Sequence, residues 1–177
     1  MPTFVLQLSC ELEGVASIAP GSSEEMQYTV DFQQSGGSEV KEGVVVSMDE
    51  MVDPGNGSDP CHAVLRWGGK TTSSITLMQI PGVTREITAD DSGSSVALVA
   101  MECRGCEPIA WSVGDGWTVT LAGGQTVEDV DLSEDWSEFD ESTNEPVMVS
   151  EISTGVAVQQ VPKDGKAGGG KKKKKKK

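Results

Sequence analysis

Phe4-Val5-Leu6-Gln7-Leu8-Ser9-Cys10-Glu11-Leu12 is the stretch that decides the fold class. Phe4, Leu6, Leu8, Cys10 and Leu12 recur at every second position, and most of the residues between them are polar. Successive side chains of an extended chain point to opposite faces, so this spacing predicts a strand with one buried face. The same period returns along the chain. Met26, Tyr28, Val30 and Phe32 repeat it, and Val44-Val45-Val46 is a short β-branched run. Further strands are predicted over Cys61–Trp67, Ile75–Ile80, Ile109–Trp111, Trp117–Leu121, Val127–Leu132 and Val147–Val158. Ser95–Cys103 is apolar on both faces, which predicts a central strand covered on two sides.

Between these runs lie clusters such as Ser35-Gly36-Gly37-Ser38, Asp53-Pro54-Gly55-Asn56-Gly57, Gly68-Gly69-Lys70 and Ala122-Gly123-Gly124. They supply the residues that tolerate the positive φ of tight turns. Many short strands joined by Gly-rich turns predict an all-β, antiparallel β-sandwich. Ser133–Glu141 alone suggests a helical turn, with Ser133 as N-cap and acids in the first turn. Residues 1–160 are expected to form a single domain. Residues 161–177, rich in Gly and Lys, cannot bury a core and are expected to be a disordered basic tail.

The chain has 177 residues and a formal charge of −14, from 14 Lys and Arg against 28 Asp and Glu. Seven of those cations are Lys171–Lys177, so residues 1–170 hold 7 cations against 28 anions, or −21. An acidic body excludes a broad phosphate-binding surface, which needs clustered Lys and Arg. Nucleic acid is expected to be touched only through the Lys171–Lys177 tail. Aromatic content of 5% argues against a stacking platform for single strands. The longest apolar run, Val96–Met101, is far short of the ~20 residues a spanning helix needs. The first residues show neither the basic nor the apolar region of a secretory signal. A cytoplasmic location is expected, with nuclear entry by way of the tail as the variant. Asn56-Gly57-Ser58 then reads as a turn, and Cys10, Cys61, Cys103 and Cys106 as reduced thiols.

Candidate chemistry is sparse. His62 is the one histidine, and its neighbour Cys61 should face the opposite side of a strand, which argues against a thiolate–imidazolium pair. Cys103-Arg104-Gly105-Cys106 is a CxxC whose Arg-Gly pair could turn both thiols the same way. A redox CxxC opens a helix, whereas Glu107-Pro108 follows here, and no second CxxC completes a zinc site. Buried structural thiols are the favoured reading. Gly69-Lys70-Thr71 resembles the end of a P-loop, but Val64 stands where the first Gly is required. Residues 128–145 hold nine acids and no base. A solvated acidic face is the favoured account, with Trp136 and Phe139 anchoring it to the core rather than forming an exposed hot spot.

Glu102-Cys103-Arg104-Gly105-Cys106-Glu107-Pro108 resembles the E-C-R-G-x-E-P signature of the eukaryotic CXXC-motif-containing zinc-binding proteins. Leu6-Gln7-Leu8 is similar to that family's opening strand, and Trp136-Ser137-Glu138-Phe139-Asp140-Glu141 to its W-[ST]-[DE]-[FY]-D-E stretch. Glu145, Val147 and Glu151 fall in step with its last strand. The resemblance runs in order from residue 1 to about residue 158, and implies an all-β sandwich. It also implies zinc held by two CxxC pairs, which by position would fall near Gln33–Gly37 and Arg66–Gly69. None of those residues is Cys. The signature shares only Cys103 with this CxxC, and in the family that Cys is not a zinc ligand.

Together these features predict a non-enzymatic protein-interaction module that has lost the family's zinc. No catalytic, cofactor or metal residue is assigned and no membrane insertion is expected. An unidentified protein partner is expected at the acidic segment around Trp136. The two hairpins once tied by zinc would be held by Gly-rich turns and core packing alone, and would be among the most mobile ordered parts. The alternative is a metal-binding protein using Cys103, Cys106 and Cys61 or His62. A hydrolase or redox enzyme centred on Cys103 and Cys106 ranks third.

Overall fold

The computed structural model describes residues 2–22, 25–55 and 57–160. The predicted tail, residues 161–177, lies outside the described residues, as does Asn56. The order of strands is β1 (Thr3–Glu13), β2 (Val15–Pro20), β3 (Gln27–Gln34), β4 (Val40–Ser47), β5 (Ala63–Arg66), β6 (Thr72–Met78), β7 (Ile87–Thr88), β8 (Ser95–Arg104), β9 (Cys106–Ser112), β10 (Trp117–Leu121), β11 (Thr126–Val130), β12 (Trp136–Asp140) and β13 (Glu145–Gln159). Two short 3-10 turns, Gly68–Lys70 and Ala89–Asp91, complete the described elements. The fold is an all-β antiparallel sandwich, as the period of two predicts.

Six strands form the large sheet in the order β12-β13-β1-β8-β6-β5. Strands β11-β10-β2-β7 form a second sheet and β4-β3-β9 a third. All pairings are antiparallel, and β8 lies between β1 and β6, where its apolar character on both faces is used. One face of β1 and β8 presents Phe4, Leu6, Leu8, Leu98 and Met101 to the main core. Inward residues of the other sheets meet them there, including Ile18, Tyr28, Phe32, Trp111 and Trp117. The opposite face carries Val5 and Ala100 in a smaller cluster, covered by Ile80 and Val83. Burying a side chain such as Phe32 contributes about 1.5–3 kcal/mol. The small sheet is also stapled to the large one: Trp111 Nε1 donates to the carbonyls of Gln7 and Gly155, each at 3.1 Å.

The predicted helical turn at Ser133–Glu141 is corrected. Trp136–Asp140 is strand β12, an edge strand paired with β13 from Trp136↔Val149 to Asp140↔Glu145. Pairing to a fifteen-residue strand outweighs a cap-like serine and a run of acids. The Asp140 carboxylate then fastens the edge. It accepts from Ser142 N at 2.9 Å, Ser142 Oγ at 2.7 Å and Gly123 N at 3.3 Å. Those bonds, led by the Ser142 hydroxyl, hold its pKa below the usual aspartate value. The long β13 bends where Glu151 takes φ 52°, at a register shift opposite Ser9–Glu11 of β1.

Candidate functional site

Two hairpin tips and one corner of the sandwich converge. The first tip is the Ser35-Gly36-Gly37 turn between β3 and β4, and the second is Trp67–Thr71 between β5 and β6. The corner is Gly105, where the chain leaves β8 in the large sheet and enters β9 in the small one. Gly105 has φ 82°, and a Cβ there would lie 2.9 Å from Ser73 Oγ, so the position requires glycine on both counts.

Direct side-chain bonds join the tips. Gln34 Nε2 donates to Thr71 Oγ1 at 2.9 Å, and Gly68 N donates to Glu39 Oε1 at 3.2 Å. Lys41 Nζ sits 5.5 Å from the Trp67 ring centroid, within the range of a cation–π contact. Ser35 N donates to the Gly105 carbonyl at 3.1 Å, tying the first tip to the corner. The expectation that turns and packing alone hold these hairpins is therefore corrected: polar cross-links between the tips share the task.

Beneath the tips lie the two thiols of the CxxC. Cys103 pairs with Ile75 across β8–β6, and Cys106 with Gln34 across β9–β3, so each is fixed by a different sheet. Both are buried, at 0% and 1% exposure, and both belong to the main core. The Arg104-Gly105 corner brings them together, as its composition suggested. The two thiols act on each other electrostatically, and the Ser73 hydroxyl acts on Cys106. Ser73 Oγ in turn accepts from Trp67 Nε1 at 2.8 Å. The result is a buried chain from indole to hydroxyl to sulfur. Cys103, and then Ser73, hold the Cys106 thiol below its ordinary pKa against the opposing effect of burial. Cys106, reinforced by burial, pushes Cys103 far above it.

The other candidates stand apart. Cys61 Sγ donates to the carbonyls of Ala63 at 3.3 Å and Val52 at 3.7 Å. His62 Nδ1 accepts from Leu77 N at 2.8 Å, and burial lowers its pKa, so the ring is neutral with Nδ1 as acceptor. Neither joins Cys103 and Cys106. Among the described residues no three His, Cys, Asp or Glu side chains are placed to hold a metal ion. The tips themselves offer the amides of Gln33 and Gln34, the hydroxyls of Ser35 and Thr71, the Glu39 carboxylate and lysine cations. That donor set does not fit zinc, which takes thiolate, imidazole and carboxylate ligands in a tetrahedron.

The acidic segment forms a second, different surface. Trp136 packs partly buried against the core, as expected, but Phe139 is 49% exposed, so the anchoring role is corrected for one of the two. Phe139 opposes Pro146, and the exposed Met148 opposes Ser137 on one side and Glu13 on the other. Glu11, Glu13, Glu138 and Glu145 are exposed along the same strands, and Glu141 in the turn after β12. No helix of the described residues is long and apolar enough to cross a membrane.

Comparisons with known proteins agree with this architecture. The profile of a family described as "CXXC motif containing zinc binding protein, eukaryotic" matches residues 5–157. A "UPF0587 protein" of Schizosaccharomyces pombe is 27% identical over 160 residues, covering 89% of this chain and 99% of that one. A "CXXC motif containing zinc binding protein" of Rattus norvegicus is 26% identical over 162 residues, covering 86% and 96%. A Drosophila melanogaster "UPF0587 protein" reaches 48% identity over a 69-residue segment, 38% of this chain and 42% of that one. Among solved structures, "Crystal Structure of C1orf123" superposes with a TM-score of 0.80 at 21% identity, covering 89% of this chain and 99% of the other. That likeness is one of fold.

Proposed function

From the premise that this chain belongs to the eukaryotic family of CXXC motif containing zinc binding proteins, we propose that it is a non-enzymatic, metal-free interaction module acting in the cytoplasm or nucleus. Two observations support the two halves of this reading. The relatives' name says that they bind zinc, and the resemblance would put that metal at Gln33–Gly37 and Arg66–Gly69. Here those tips carry no Cys and are bridged by Gln34–Thr71 and Glu39–Gly68. A bridging amide and hydroxyl do for the hairpins what a shared ion would do, without a metal's requirement for thiolates. Zinc measured on purified protein is therefore expected far below one per chain, with no loss of thermal stability on chelation. Stoichiometric zinc, with unfolding on its removal, would overturn the metal-free half.

The observation that carries the interaction half is Phe139, an exposed aromatic on edge strand β12 within a rim of carboxylates. Apolar exposure inside strong single-sign charge fits a cationic, extended segment of another protein that also presents an apolar side chain. Peptides of seven to ten residues combining Lys or Arg with Leu or Phe are the probe. Binding is expected to weaken with salt and to be lost in Phe139→Ser combined with Glu138→Lys. Equal binding of an acidic peptide of the same apolar content, or undiminished binding by the variant, would sink this assignment.

A further inference from the structure

We propose that Cys103 and Cys106 form a dithiol oxidation site, which hydrogen peroxide converts to an intramolecular disulfide across the β8–β9 corner. The argument starts from placement. The two Cys are three residues apart, and Gly105 turns the chain between them with φ 82°. One thiol comes from each of two sheets, yet both are buried in the same core on either side of a single glycine corner. Cys10 and Cys61 share no such placement: Cys61 is bonded to backbone carbonyls, and burial pushes Cys10 up to about 11.

The pair is also asymmetric, as a redox dithiol needs. The Ser73 hydroxyl serves Cys106 and not Cys103, and a donor there favours the thiolate, so Cys106 is the attacking sulfur. Cys103 keeps its proton and serves as the resolving thiol. In the first step the Cys106 thiolate attacks one peroxide oxygen and the O–O bond breaks. Cys106 becomes a sulfenic acid, and the departing hydroxide takes a proton to become water. In the second, Cys103 sulfur attacks the sulfenic sulfur, expelling hydroxide, which leaves as water with the Cys103 proton. Two thiols and one peroxide give one disulfide and two waters. The sulfurs are covered by the hairpin tips, through Ser35–Gly105 and Gln34–Thr71, so peroxide reaches them when those few bonds open. Forming the S–S bond also removes the thiolate that Ser73 serves, and Trp67, bonded to Ser73, is placed to report it by fluorescence.

The test is peroxide treatment of the full chain, followed by intact mass and peptide mapping without reduction. The expected result is loss of two hydrogen masses, a Cys103–Cys106 link, and reversal by dithiothreitol. In Cys103→Ser the reaction should stop at a sulfenic acid on Cys106, captured by dimedone. Ser73→Ala should slow oxidation by roughly threefold, since losing that donor leaves less Cys106 thiolate while making what remains more nucleophilic. Retention of all four thiols, a link to Cys10 or Cys61, or sulfinic acid in place of the disulfide would overturn the site. The wild-type map decides the matter even where a variant fails to fold.

Discussion

The hairpin-tip corner and the acidic edge both interrupt a regular sandwich, and they do so by opposite means. At the corner, polar groups are turned inward and satisfied by one another: Trp67 to Ser73, Ser73 to Cys106, Gln34 to Thr71. At the edge, Asp140 is satisfied by its own turn and by Gly123 N of a neighbouring one, while the remaining carboxylates and Phe139 face solvent. A buried network fixes one geometry, because each unmade bond costs the full desolvation of its partner. An exposed charged edge fixes little internally and is free to meet something else. It also discourages unwanted strand addition, since like-charged chains are repelled from β12. The corner should therefore answer to mutation through stability and the edge through binding.

Trp67→Ala is expected to show the largest effect. It removes a ring only 5% exposed, the donor to Ser73 and the ring under Lys41, and should cost about 3–5 kcal/mol in urea or thermal unfolding. A cost below 1 kcal/mol would mean that the second tip is not part of the folded unit, and the comparison would fail there. Gly105→Ala comes next. Its left-handed φ of 82° should cost about 1–2 kcal/mol, with a further loss if Ser73 cannot move from the new Cβ. Cross-tip coupling should be smaller again. A double-mutant cycle on Gln34→Ala and Thr71→Ala should give about 0.5–1.5 kcal/mol, and zero coupling would return the hairpins to turns and packing alone.

The pH axis separates the same regions. The folded pKa of Asp140 lies below its ordinary value of 3.8, so its contribution is complete above that value and is lost as pH falls through the folded value. At the alkaline end the sign reverses. Cys10, near 9 when unfolded and about 11 when folded, stays protonated in the native state, so stability falls as pH rises from 9 toward 11. Asp140→Asn should flatten the acid limb of a stability profile and lower the alkaline limb without changing its slope. The same change of slope in both limbs would show that the edge and the core are not separable in this way.

Much of the sandwich is written in local periodicity, because a half-buried strand must alternate. Phe4 to Leu12 and Met26 to Phe32 are legible for that reason, as is the doubly apolar β8. Strand β2 is not, since Val15 and Ile18 are its only fully buried apolar residues and a register shift against Leu121 spaces them by three. Strand β12 misleads, because Ser133 and the acids after it mimic a helix start, and only its distant partner β13 makes it extended. The candidate site divides likewise. The CxxC and the acid-rich stretch stand out in the sequence. The meeting of Gln34 with Thr71, 37 residues apart, and of Ser73 with Cys106 is tertiary, and no short motif encodes it.

The smallest structural effect tests the edge most sharply. Phe139→Ser removes a side chain that is half exposed and lies opposite Pro146 on a solvent-facing strand pair, so little apolar surface is returned to water. The change in unfolding free energy should stay within about 0.5 kcal/mol, as for other surface positions without a cap, cavity or buried bond. Phe139 is thus a poor candidate for a core residue and a good one for a contact residue, because its ring does almost nothing for the fold that a serine would not. If the variant loses binding to the cationic peptide while keeping its midpoint, the edge is an interface. If the midpoint falls by the 3–5 kcal/mol equivalent of a buried aromatic, Phe139 packs as Trp67 does, and the contrast between the two regions collapses.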